Sequence, residues 1–266
     1  MVFFKTKNRI NVHKKINKQL VKISGLIFLT SLFFISCPAL CQLPDSTKSL
    51  SAKRNHTFLK QYAIPAALIG LGVYGTTNNS LINNYEIREE RSEYFPGFTN
   101  KADNYLQYAP IPAVFIMDAF GLKGKHSWQE QLALAGRAEL IMTAFVIPLK
   151  KLTHVLRPDS SSDNSFPSGH TAQAFMAAAF FNKEFGKKYP WASVGMFTMA
   201  TGIGVLRILN NRHWVSDVLA GAGFGILSVE LSYVLHKRDR EKKKLPGVIM
   251  PSYQNGSFGF CALFKL

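Results

Sequence analysis

Apolar residues fall into helix-sized blocks along this chain. After a first apolar run at 23–35, such stretches recur at 59–74, 105–122, 128–156, 170–185, 191–209 and 214–235, with polar segments at 43–58, 76–104 and 159–164 between them. Runs of this length exceed ordinary strands, so the pattern predicts an all-α helical bundle. Pro65 and several glycines make 59–74 short and irregular for a membrane span, while Pro110 and Pro112 sit in the first turns of 105–122. The mixed Asn, Glu, Arg and Tyr content of 76–104 predicts a surface helix leading into Pro96-Gly97. That charged stretch cannot itself cross a bilayer, so either 59–74 does not span or the domain is only partly embedded. The 214–235 block is rich in glycine and alanine, which suits close helix packing. The tail differs in kind. Asn255-Gly256 parts two short runs, and Phe258, Phe260, Ala262, Phe264 and Leu266 alternate, which predicts a short C-terminal β-hairpin.

Charge adds a direction. The chain has 266 residues, 47% hydrophobic, with 32 Lys and Arg against 16 Asp and Glu for a formal charge of +16. This excludes a disordered chain and leaves nucleic acid or an anionic membrane surface as partners of a basic protein. Placement decides. Lys123 and Lys125, then Lys183, Lys187 and Lys188, then Lys237, Arg238, Arg240 and 242–244 all fall at helix ends away from the candidate chemistry described next. By the positive-inside rule that end is cytoplasmic, and nucleic acid is not the partner. At the N-terminus, a basic stretch over 1–22, the apolar run 23–35 and Ala39 and Cys41 at the −3 and −1 positions have the form of a secretory signal. The expected mature chain starts at Gln42; an uncleaved anchor and a lipoprotein acylated at Cys37 are the rival readings. Cys261 then stands alone, so no intrachain disulfide is expected. The domain reading is signal or anchor 1–41, linker 42–58, helical domain 59–244 with its core at 105–236, and tail 245–266.

Candidate chemistry lies in three blocks. In Phe166-Pro167-Ser168-Gly169-His170-Thr171, proline breaks the preceding segment, Ser168 is a good N-cap and Gly169 lets a backbone N–H approach a ligand. That makes an anion site with a histidine in it. Upstream, Lys150 and Arg157 are seven apart, about two helical turns, which predicts both cations on one helix face ended by Pro158. Downstream, Arg207 precedes His213 and Asp217, which are four apart, so the carboxylate can hold one ring nitrogen and leave the other nucleophilic. Each piece alone has an ordinary structural reading as a cap or surface pair. Together they form a phosphate-transfer set, and no cluster has metal-ligand spacing, so neither metal nor cofactor is expected.

The three blocks resemble the tripartite signature of the type 2 phosphatidic acid phosphatase family, which shares a superfamily with class A acid phosphatases and vanadium haloperoxidases. Lys150 with Arg157-Pro158, then Pro167-Ser168-Gly169-His170, then Arg207 with His213 and Asp217 keep the family spacing. Leu206 stands where the family usually has serine, which puts one secondary phosphate contact in doubt. The resemblance implies His213 as nucleophile, Asp217 as its orienting partner, His170 as general acid and base, and Lys150, Arg157, Ser168, Gly169 and Arg207 as phosphate ligands. It also implies a membrane lipid phosphate or diphosphate as substrate: phosphatidic acid, phosphatidylglycerophosphate, undecaprenyl diphosphate or lipid A. The expected setting is the bacterial envelope with the site facing the periplasm, the inner membrane favoured over the outer, and no obligate protein partner. The alternatives are a soluble periplasmic acid phosphatase of broad range and, less favoured, a vanadium-dependent haloperoxidase.

Overall fold

The computed structural model describes residues 50–77, 82–243, 247–254 and 257–264, with side chains over 61–77 and 82–240. The expected signal or anchor at 1–41, the Asn-Gly turn and the facing of the tail's aromatic residues lie outside the described residues. Among the described residues eight helices follow one another: α1 (Leu50–Tyr74), α2 (Asn84–Tyr94), α3 (Asp103–Leu106), α4 (Pro110–Ala119), α5 (Trp128–Thr153), α6 (Gly169–Phe185), α7 (Pro190–Leu209) and α8 (Val215–Lys243). Two strands, β1 (Gly247–Gln254) and β2 (Ser257–Phe264), pair antiparallel with Gln254 opposite Ser257.

Local signals account for several helix starts. Ser127 starts α5 with a complete capping box, its side chain accepting from the Glu130 N–H while the Glu130 carboxylate accepts from the Ser127 N–H. Pro190 and Pro110 occupy first-turn positions where no N–H is needed. Two expectations need correction. First, α1 begins at Leu50, inside the segment read as a linker, and continues through Pro65. Its backbone lies directly on α8: a Cβ added to Gly223 would come 2.8 Å from the Pro65 carbonyl, and one on Gly72 would come 2.6 Å from the Ala220 nitrogen. Tertiary packing of this closeness outweighs the local cost of a proline. Second, α5 stops at Thr153 with His154 in the left-handed region (φ 47°), so Arg157 lies beyond the helix rather than two turns along one face. The residue before a proline disfavours helix, and the loop takes over the backbone: the Arg157 N–H donates to the Ser162 carbonyl at 2.9 Å.

Helix α6 is the centre of the bundle. It is buried along nearly its whole length, with Phe175, Met176, Phe180, Phe181 and Phe185 at most 2% exposed, and it packs against α4, α5, α7 and α8. An added Cβ at Gly225 of α8 would come 2.2 Å from the Ala172 carbonyl, so the two helices approach backbone to backbone. Among the described residues, α5, α7 and residues 215–240 of α8 are long and apolar enough to cross a membrane; the apolar part of α1 and α4 are shorter. This is a membrane protein.

The long helices run up and down, so their ends gather in two groups. At one end Lys188 donates to the Lys123 carbonyl at 2.6 Å, Lys125 and Lys183 each stand 5.8 Å from the Tyr233 ring, and Arg240 lies 3.5 Å from Glu130. The buried Glu184 carboxylate ties this end together, accepting from the His126 backbone N–H at 3.0 Å and from the Tyr233 hydroxyl, with the His126 ring at 2.8 Å. The C-terminal ends of α5 and α7 and the N-terminal ends of α6 and α8 form the other end, where the three blocks meet.

Candidate active site

The start of α6 is built as its sequence requires. Ser168 has extended backbone angles and caps the helix by accepting from the Thr171 N–H at 3.5 Å, its hydroxyl 2.9 Å from that of Thr171. A Cβ added to Gly169 would lie 3.7 Å from Lys150 Cε, which puts the lysine stem across the open turn. Lys150 Nζ donates to the Asn164 carbonyl at 2.8 Å and reaches that of Ser165 at 3.5 Å, fixing the ammonium beside the N-terminal amides of α6.

Asp217 organises the histidine opposite. His213 is 2% exposed and Asp217 fully buried. Asp217 Oδ2 lies 3.4 Å from His213 Nδ1 and accepts from the Trp214 N–H at 2.9 Å and the Ser165 hydroxyl at 2.5 Å. The first distance is long for a hydrogen bond, as unliganded sites often show. With Nδ1 facing the carboxylate and the serine, Nε2 is the nitrogen left for chemistry. Burial pushes His213 down to about 4 despite the opposing hydrogen bond and charge of Asp217, with Lys150 and Arg207 adding to the fall. The ring is therefore held in its neutral form at neutral pH.

The cations converge without sharing a helix. Arg157 reaches the site from the loop after α5, and its guanidinium is lowered from the ordinary arginine value by burial and then by Arg207. Arg207, in the last turn of α7, is buried and donates through Nη1 to Asp103 Oδ2 at 2.7 Å. The Nε atoms of both arginines are buried with no hydrogen-bond partner among the described residues. Unsatisfied donors of this type are costly unless an anion takes them. His170 and His213 share Lys150 and Arg207 as charged neighbours, so all eight positions singled out by sequence lie around one place.

Three further residues belong to the site: Ser165, Asp103 and Asn104, whose Oδ1 lies 2.8 Å from His170 Nε2. Sequence carried no signal for them beyond Ser165 standing two residues before Pro167-Ser168. Beside Arg157 a cavity of about 430 Å³ is lined also by Arg88, Tyr85, Asn84, Ser160 and Trp214. Among the described residues, no group of three His, Cys, Asp or Glu side chains is gathered as a metal site.

Comparison with known proteins meets this geometry. Residues 132–241 match the PAP2 superfamily. A lipid A 1-phosphatase of Porphyromonas gingivalis is 40% identical over 174 residues, which are 65% of this chain and 38% of that protein. The bacitracin transport permease protein BcrC of Bacillus licheniformis is 41% identical over 66 residues, 25% of this chain and 30% of that one. The chain thus spans well under half the length of these curated relatives. Among solved structures, the transmembrane PAP2 type phosphatidylglycerolphosphate phosphatase from Bacillus subtilis shares the fold, with a TM-score of 0.50 and 21% identity over 68% of this chain and 97% of that one. The matched region carries all three blocks from Lys150 to Asp217 on the bundle described above, and over residues 132–241 this chain is similar to the PAP2 superfamily.

Proposed function

We propose that this protein is a metal-independent phosphatase that hydrolyses a lipid phosphate or diphosphate through a phosphohistidine, at the periplasmic face of the membrane. The observation that carries the reading is the buried His213, backed by Asp217 and Ser165, at the same end of the bundle as Arg157 and Arg207 with their buried, unsatisfied Nε donors. His213 Nε2 attacks phosphorus as the P–O bond to the leaving group breaks, and His170, entering the step as the imidazolium, gives that oxygen a proton and is left neutral. Water, deprotonated by His170, then cleaves the P–N bond and releases phosphate. Negative charge on the equatorial oxygens is met by Lys150, Arg157, Arg207, the Ser168 hydroxyl and the Gly169 N–H. The transfer needs only positioning and charge stabilisation, and acid–base help from His170 is worth about 10²- to 10⁴-fold.

The basic clusters at the far end of the bundle support a cytoplasmic placement of that end and favour a site facing outward. The lipid A 1-phosphatase relative favours a lipid A type of substrate over the other envelope phosphates. The test is phosphate release by the protein in detergent from lipid A, undecaprenyl diphosphate, phosphatidic acid and a water-soluble phosphomonoester, with His213→Ala as blank. Strong preference for one lipid supports the reading; equal hydrolysis of the soluble ester makes the protein a general phosphatase instead.

A further inference from the structure

The segment before α4 carries no part of the three sequence blocks, yet two of its adjacent residues hold two of the groups the mechanism needs. Asp103 is 1% exposed and accepts from Arg207 Nη1 at 2.7 Å. Asn104, next to it, places Oδ1 2.8 Å from His170 Nε2. Both belong to α3, a single turn of helix, and the turn is itself fastened to the end of α7. The Asn100 N–H donates to Asn210 Oδ1 at 2.8 Å, the Asn210 amide donates back to the Asn100 carbonyl at 2.7 Å, and Arg91 Nε donates to the Leu209 carbonyl at 2.7 Å. The Asn104 carbonyl is also held, by Gln107 Nε2 at 2.9 Å.

We propose that Asp103 and Asn104 are the positioning residues of this site, setting Arg207 for phosphate binding and His170 for proton transfer from one rigid turn. The inference rests on the phosphatase reading for its catalytic meaning. Each half has its own logic. A guanidinium held through Nη1 has its remaining N–H groups fixed in direction, and its buried Nε–H has no partner among the described residues. An amide oxygen on Nε2 keeps a proton on that nitrogen, so Nδ1 is the nitrogen that gives a proton as the imidazolium and takes one from water once neutral, and the imidazole plane is fixed. The charged groups that face His170 are Arg207, Asp103, Lys150 and Arg157, three cations against one carboxylate. A neutral amide, unlike a second carboxylate, orients the ring without favouring its charged form.

The test uses the full chain in detergent and the isosteric variants Asn104→Asp and Asp103→Asn, with Asn104→Ala beside them. Asn104→Asp sets an opposite charge against the ring, so the His170 titration midpoint, followed by NMR of histidine-labelled protein and assigned with His170→Gln, moves up by about one unit or more. The basic limb of the kcat profile moves with it. Asn104→Ala lowers kcat about tenfold or more with KM within threefold, since part of the acid–base contribution is lost. Asp103→Asn lowers kcat/KM about tenfold alone and under twofold in an Arg207→Lys background, because its effect passes through that arginine. An unmoved His170 midpoint in Asn104→Asp, or equal losses for Asp103→Asn in both backgrounds, overturns the proposal. The NMR midpoint does not depend on turnover: wild-type protein that releases no phosphate from any substrate defeats the phosphatase reading, while the midpoint still decides whether Asn104 holds His170.

Discussion

Gly221→Ala separates the stability of the bundle from the geometry of its site. Gly221, on α8, faces the first turn of α6, where an added Cβ would meet the Ser168 carbonyl oxygen at 2.5 Å, Thr171 Cβ at 3.3 Å and the Ala172 nitrogen at 3.4 Å. Taking 3.4 Å as the start of ordinary contact, the methyl group intrudes by about 0.9 Å on backbone that cannot rotate away, as a side chain could. Ser168 is pinned on its other side as well, its N–H donating to the Asp217 carbonyl at 2.9 Å. The start of α6 must therefore shift against α8. Overpacking of this kind costs about 1–3 kcal/mol, and alanine returns about 1 kcal/mol of helix propensity over glycine, so the net loss of stability is about 0–2 kcal/mol. Turnover suffers more. A displacement of about 1 Å in groups that position a reacting phosphate costs on the order of 100-fold. The expected outcome is a small change in Tm in detergent with kcat/KM for the lipid phosphate reduced about 100-fold. Gly202→Ala in α7 is the control: nothing lies within 4 Å of its added Cβ, so it gains up to about 1 kcal/mol of stability and keeps full activity. Turnover by Gly221→Ala within threefold of wild type would refute the argument that this contact sets the site.

Ser165→Ala removes the hydroxyl that donates to Asp217, a hydrogen bond to a charged group worth about 1.5–3 kcal/mol, so kcat falls about tenfold or more while KM holds; steady-state kinetics showing less than a twofold loss would reduce Ser165 to packing. Because burial holds His213 down at about 4, its neutral form persists as pH falls through 6.5 and is lost only near 4. The acid limb of kcat/KM due to His213 lies near that lower value, checked with a substrate whose own phosphate ionisation has been titrated separately, and a limb at the ordinary histidine value contradicts the burial argument. Excess EDTA leaves the initial rate of phosphate release unchanged; inhibition reversed by Mg²⁺ or Zn²⁺ would show that the metal-free mechanism is wrong.

The parts of this fold that were legible in the sequence are those whose causes are local. Ser168 caps α6 within the block that contains His170, and His213 meets Asp217 one turn on. The long apolar runs located α5, α6, α7 and α8 to within a few residues, apart from the α5 C-terminus and the longer C-terminal extent of α8. Arg157 shows where local reading failed. Its spacing from Lys150 fits two helical turns, but His154 leaves the helix first and the loop brings the guanidinium back to the site by another path. The course of α1 through Pro65 was missed for a different reason, since the contact of Pro65 and Gly72 with α8 joins segments about 150 residues apart. Asp103 and Asn104 lie 104 and 66 residues from their partners, in a segment with no periodic pattern, and only the fold brings them to Arg207 and His170. Ser165 is likewise 52 residues from Asp217. Pairings set by chain topology leave no spacing to read.

The burial of His213 suits the proposed nucleophile. Its low proton affinity keeps it neutral beside Lys150 and Arg207, and under the proposed mechanism Asp217 would face a cationic ring after phosphorylation. The same cations that suppress protonation attract the phosphate.

The most direct test of this account is to trap the intermediate. Wild-type protein mixed with a lipid carrying a radiolabelled phosphate and quenched within the first turnover should hold label on the protein, stable in base and released by acid, at His213 by peptide mapping and absent from His213→Ala. Turnover with no protein-bound phosphate, or with label on a residue other than His213, would contradict it.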